Sequence, residues 1–184
     1  MDFESEKNGT SSIKLISKEG DEFLVSTEVA KMSKLVEQTL DDEDDDCDFD
    51  DYSEDDMKEI PLPNVKAAVL TKVLEYCTYF TEIEPMRPIQ TPLKSSKTEE
   101  IVQKWYADFC CVDRVTLFEL VTAANFMDIK PLLDLTCLAV AVMIKGKTAD
   151  EIRKIFNMSN NFTAEEAVQV TEENKWCNES KIGP

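Results

Sequence analysis

The sequence predicts an α+β fold, a small sheet with helices followed by a C-terminal helical region, and three observations carry that expectation. Two short alternating apolar runs, Ile13/Leu15 and Phe23/Val25, flank a polar "KEGDE" containing a glycine, the pattern of a β-hairpin. Helical periods then follow one another from residue 101 to residue 177. Two capping boxes, Thr148 with Glu151 and Thr163 with Glu166, mark late helix starts. With 184 residues, 42% of them apolar, the chain suits one domain, or one domain with an extension.

Taken in order, residues 1–11 read as a flexible tail, followed by the hairpin. Thr27 is placed to cap a helix with Val29, Met32, Val36 and Leu40 as its apolar positions, and Ser33 is a candidate break in it. In "EIPLPNV", Ile60 and Leu62 alternate with Pro61 and Pro63, which suits a sheet edge. Asn64 is placed to cap a helix over 65–80, carried by Val69, Val73, Leu74, Cys77 and Phe80. Residues 82–99, broken by prolines, read as a mobile loop. "EIVQKWYADFC" suggests a helix, and Asp113 caps another with Leu117, Leu120, Val121 and Ala124 on its apolar stripe. Phe118 and Phe126 fall off that stripe.

Pro131 opens "PLLDLTCLAVAVMIK", apolar around nearly its whole circumference, which Gly146 ends. At this length, and with Asp134 inside it, the segment reads as a buried helix and not as a membrane span. The first capping box then leads to Ile152, Ile155 and Phe156. The second leads through Ala167 and Val170 toward Trp176, one of two tryptophans, before a flexible tail over 178–184.

Charge narrows the function classes. The formal net charge is -18, which opposes nucleic acids and anionic membranes and favours protein partners. Twelve of the sixteen residues from 41 to 56 are Asp or Glu, so residues 41–59 read as a disordered acidic loop. Asp46, Asp48 and Asp50 alternate as in an EF-hand, but Asp51 stands where that loop needs glycine and Met57 where it needs a bidentate Glu. An acidic calcium-binding protein is therefore an alternative of a different class. Six cysteines without an export signal or CxxC spacing read as reduced intracellular thiols.

No histidine occurs, which removes the commonest acid/base group and most zinc sites, and four glycines offer no phosphate-cradling loop. The chain reads as non-catalytic, with no cofactor. What remains are apolar side chains in excess of a small domain's needs: Phe118, Val140, Ile144, Ile152, Ile155, Phe156 and Trp176. Periodicity leaves two readings open, an ordinary helical core or a groove that receives a partner's helices.

Six stretches, "IKLISKEGDEFLVS", "IPLPNVKAAVLTKVLEYC", "TLFELVTAANFMDIKPLLDLTC", "MIKGKTADEIRKIFNM", "NNFTAEE" and "ENKWC", resemble in this order the blocks of the S-phase kinase-associated protein 1 family, the Skp adaptors of SCF (Skp-cullin-F-box) ubiquitin ligases. The resemblance implies a BTB/POZ-like core over 12–130 and a two-helix F-box-binding region over 131–177. It implies an adaptor of cytoplasm and nucleus that joins a cullin scaffold to F-box proteins for substrate ubiquitination. Carried over by motif, Asn125 and Phe126 face the cullin. Leu117, Phe118, Val121, Cys137, Val140, Ala141, Ile144, Ile152, Ile155, Phe156, Trp176 and Cys177 would hold the F-box, with Leu120 nearer the core.

An elongin C-like adaptor shares that core, but "TADEIRKIF" and "NKWC" supply the further helices that an F-box needs. Homodimerisation of the chain when free of an F-box is left open. Two departures stand out: Ala149 replaces a proline frequent in the family, so hydroxylation at that proline is unavailable, and Pro131 replaces a usual glycine, which stiffens the turn.

Overall fold

Alternation of apolar residues sets the hairpin. In the computed structural model, which describes residues 12–44, 58–93, 95, 97–158 and 162–175, strands β1 (Ser12–Ile16) and β2 (Glu22–Ser26) pair antiparallel, with Ile13 opposite Val25 and Leu15 opposite Phe23. Ile13, Leu15 and Val25 are buried. Gly20 closes the turn at φ 91, a left-handed conformation that favours glycine. Strand β3 (Glu59–Pro61) adds parallel to β1 and gives the order β2-β1-β3. Pro61, which cannot donate to a ladder, sits on this edge strand.

Helix α1 (Thr27–Ala30) starts directly from β2, and the cap is Ser26, one residue before the expected Thr27. The extended backbone at the strand's last residue already has the N-cap geometry, and the Ser26 hydroxyl accepts from the Val29 N–H. Ser33 does break the helix: α2 (Lys34–Asp44) follows it. The backbone is still helical at Asp44, so the helix enters the expected acidic loop, while Glu59 at its other end belongs to β3. Residues 45–57, with the EF-hand-like positions from Asp46 to Met57, lie outside the described residues.

Helix α3 (Ala67–Glu82) begins two residues later than expected and is not capped by Asn64. Val65 is held out of the helix, because its carbonyl accepts from the Lys18 N–H in the hairpin turn at 2.8 Å. Glu19 from the same turn accepts from the Ala67 N–H at 2.8 Å, so a distant carboxylate serves the helix start. The expected helix at 100–110 is instead a 3-10 turn (Thr98–Glu100) followed by the shorter α4 (Lys104–Phe109). Tyr76, Tyr79, Trp105, Tyr106 and Phe109 form an aromatic cluster across α3 and α4, in which Tyr79 and Trp105 stack with centroids 3.7 Å apart while Tyr106 meets Tyr76 and Tyr79 edge-on.

Asp113 caps α5 (Arg114–Phe126) as expected, accepting from the Thr116 N–H. Helix α5 packs on α3. Leu120, Ala124, Leu132 and Leu135 are fully buried, the last two on α6 (Lys130–Ile144). Gly146, at φ 75, ends α6. The expected mobile Pro-rich loop is in part packed: Met86, Ile89 and Leu93 lie half-buried against the core.

The chain divides into two compact units between Met143 and Ile144, so nearly all of α6 belongs to the first unit with the sheet, beyond residue 131 where the sequence suggested a change. In the second unit, α7 (Ala149–Phe156) and α8 (Ala164–Glu173) both carry complete capping boxes. Helix α8 ends at Glu173, with Asn174 as its C-cap. The expected tails over 1–11 and 178–184 lie outside the described residues, as do Trp176 and Cys177.

Candidate functional site

The end of α5 is a corner fixed by hydrogen bonds from two sides. Asp128 takes a left-handed conformation at φ 49, which turns the chain sharply between α5 and α6. The Asp128 and Ile129 N–H groups donate back to the carbonyls of Asn125 and Ala124, and Ile129 is fully buried. Ser33 donates to the Met127 carbonyl at 2.6 Å, and this fixes the same corner from the α1–α2 side. The result presents Asn125 exposed and Phe126 half-buried, packed against the core on one side.

Four of the residues expected on the F-box side, Leu117, Phe118, Cys137 and Ala141, line three different clefts of the first unit. Leu117 is only 2% exposed and lines a cleft of about 520 Å³ with Cys110, Cys111, Ala139, Val142 and Met143. Phe118, its neighbour in sequence, lines a different one of about 330 Å³ between α5 and the start of α3, with Val69, Val115 and Thr122. A step of 100° per residue along a helix separates them. Val121 is half-buried. Cys137 and Ala141, one helical turn apart on α6, line the third cleft, of about 550 Å³. Cys137 is exposed and Val140, Ala141 and Ile144 are half-buried.

In the second unit Ile152 and Ile155 are half-buried and Phe156 is exposed. Sequence reasoning missed Met158, Phe162 and Val168, each 48% exposed or more. Phe162 immediately precedes the Thr163 cap, the position of a hydrophobic staple, and that was the available signal. The Arg153 guanidinium lies over the Phe162 ring at 5.9 Å. Thr148 and Thr163 are both donors to and acceptors from their box partners, whose carboxyl groups, Glu151 and Glu166, these bonds hold below the usual carboxylate range.

Burial pushes the Cys77 and Cys110 thiols up to about 12, which keeps them protonated and unreactive. Among the described residues no group of three His, Cys, Asp or Glu side chains comes together to hold a metal, and no helix is long and apolar enough to cross a membrane. The arrangement combines clefts with apolar lining and short helices that expose apolar side chains such as Phe156 and Val168, which suits the recognition of another protein.

Comparison with known proteins decides the family. Residues 11–82 match the model of the Skp1 family tetramerisation (POZ) domain, and residues 130–177 that of the Skp1 family dimerisation domain. The chain is 44% identical over 173 residues to the S-phase kinase-associated protein 1 homolog of Tetrahymena thermophila, covering 94% of this chain and 97% of that protein. This chain belongs to the Skp1 family. Two Dictyostelium discoideum relatives, the SCF ubiquitin ligase complex proteins SKP1a and SKP1b, are each 44% identical over 165 residues, 90% of this chain and 94% of theirs. The first matched region of the Skp1-family chain runs from β1 to the end of α3, a BTB/POZ-like α+β core. The second runs from α6 through α8 and the residues beyond, including Trp176 and Cys177.

Proposed function

We propose that the chain is a non-catalytic adaptor of an SCF ubiquitin ligase, which joins a cullin scaffold to F-box substrate receptors for ubiquitination and degradation of their substrates, in cytoplasm and nucleus. The observation that supports it is likeness to two SCF ubiquitin ligase complex proteins along 90% of the chain. In this reading Asn125 and Phe126 contact the cullin. The F-box is held by Leu117, Phe118, Val121, Cys137, Val140, Ala141 and Ile144, together with Ile152, Ile155, Phe156, Trp176 and Cys177.

The match over residues 130–177 favours this over an elongin C-like adaptor, which shares only the core. An exposed Asn125 and half-exposed apolar residues on α7 are the polar and apolar contacts that such interfaces use. Isothermal titration of the protein with an F-box domain, and separately with a cullin N-terminal fragment, tests the reading. Binding to both is expected; absence of any complex with either at micromolar concentration would overturn it.

A further inference from the structure

The Pro-rich segment after α3 is built into the face that α6 offers. Its root is clamped: the Gln103 side chain donates to the Pro85 carbonyl at 2.9 Å and to Glu84, and accepts from the Arg87 N–H at 3.2 Å, while the Tyr106 hydroxyl donates to the Glu84 carbonyl. From that root, residues 86–93 run as a strap whose Met86, Ile89 and Leu93 pack their apolar side chains on the core. These three, with Phe80, form one wall of the third cleft, and α6 forms the other with Pro131, Asp134, Cys137, Leu138 and Ala141.

Helix geometry decides what this wall does. At 100° per residue, Asp134, Leu138 and Ala141 point toward the strap, Val140 points to the opposite flank, and Cys137 stands between them. The strap therefore leaves the middle of the face open, and Cys137 is exposed accordingly. A partner lying along Cys137 and Val140 would meet the strap at its edge and place an apolar side chain in the cleft of about 550 Å³, which it need not create.

The geometry points to Met86, Ile89 and Leu93 as a second wall of the F-box site, adding affinity and selecting F-box helices that carry an aliphatic side chain toward the strap. This rests on the F-box reading above. The strap acts by contact and not by occlusion.

The test is the dissociation constant of a purified F-box domain for the full chain and for Ile89→Ser, Leu93→Ser and Ile89→Leu, with thermal melting to verify folding. Both serine variants are expected to bind about fivefold to tenfold more weakly, as for truncation of a contact at an interface edge. Ile89→Leu should keep wild-type affinity, and the cullin fragment should bind all variants equally. Unchanged affinity in folded serine variants would overturn the contact, and tighter binding would show a strap that competes instead. Failure of the wild-type chain to bind any F-box domain would contradict the adaptor reading itself, a result distinct from either.

Discussion

The Ser33 hydroxyl donates to the Met127 carbonyl at 2.6 Å and accepts from the Val36 N–H at 3.3 Å. One buried side chain thus caps α2 and ties it to the end of α5, 94 positions away in sequence, beside Asn125 and Phe126. Ser33→Ala removes the cap and leaves a buried carbonyl with one donor fewer, the Leu35 N–H at 3.4 Å remaining. A loss of about 1–3 kcal/mol is expected, read from the urea midpoint at unchanged slope. An unshifted midpoint would show that the corner is held by packing alone.

Tyr76 is fully buried between Tyr106, Phe109 and Phe80, and its hydroxyl has no hydrogen-bond partner among the described residues. Burial holds the phenol well above its ordinary titration range, so it stays neutral. Replacing it by the isosteric Tyr76→Phe removes an uncompensated polar group and is expected to raise stability by about 1 kcal/mol. Measured destabilisation would mean that the hydroxyl is bonded in solution.

Helices α7 and α8 are 8 and 10 residues long, too short to persist without their caps. Glu151 and Glu166 are held below the usual range chiefly by the backbone N–H groups of Thr148 and Thr163. Their contribution is therefore complete above the unfolded pKa near 4.5 and is lost as pH falls through the lower folded value. Far-ultraviolet circular dichroism should show helix content falling on acidification below that range. In the double variant Glu151→Gln with Glu166→Gln, less of that fall should remain than in the wild type; identical titrations would show that the boxes do not contribute.

Trp176 and Asn125 offer opposite selectivity under the proposed function. Trp176→Ala is expected to weaken F-box binding by about 2 kcal/mol or more and leave the cullin contact intact, whereas Asn125→Ala should weaken cullin binding by about 1–2 kcal/mol and spare the F-box. Titration calorimetry of each variant with each partner distinguishes the two. Equal loss of both partners in either variant would indicate unfolding.

The fold was legible wherever local chemistry alone decides it. The hairpin, the Ser33 break, the Asp113 cap and both capping boxes each depend on residues within a few positions of one another. Errors came where a distant group took over: Asn64 lost its capping role because Lys18 and Glu19 hold Val65 and Ala67 from the hairpin turn. Met86, Ile89 and Leu93 looked like loop residues because their partners lie on α6 and α3. For the candidate site, periodicity puts Leu117 on the core stripe of its helix and Phe118 off it, whereas the family resemblance puts both on the F-box side; the two line different clefts.

The central claim is that this chain bridges two partners at once. Size-exclusion chromatography with light scattering on an equimolar mixture of the protein, an F-box domain and a cullin N-terminal fragment measures it directly. A single 1:1:1 complex is expected. Mutually exclusive binding, with only the two binary complexes at micromolar concentration, would contradict it.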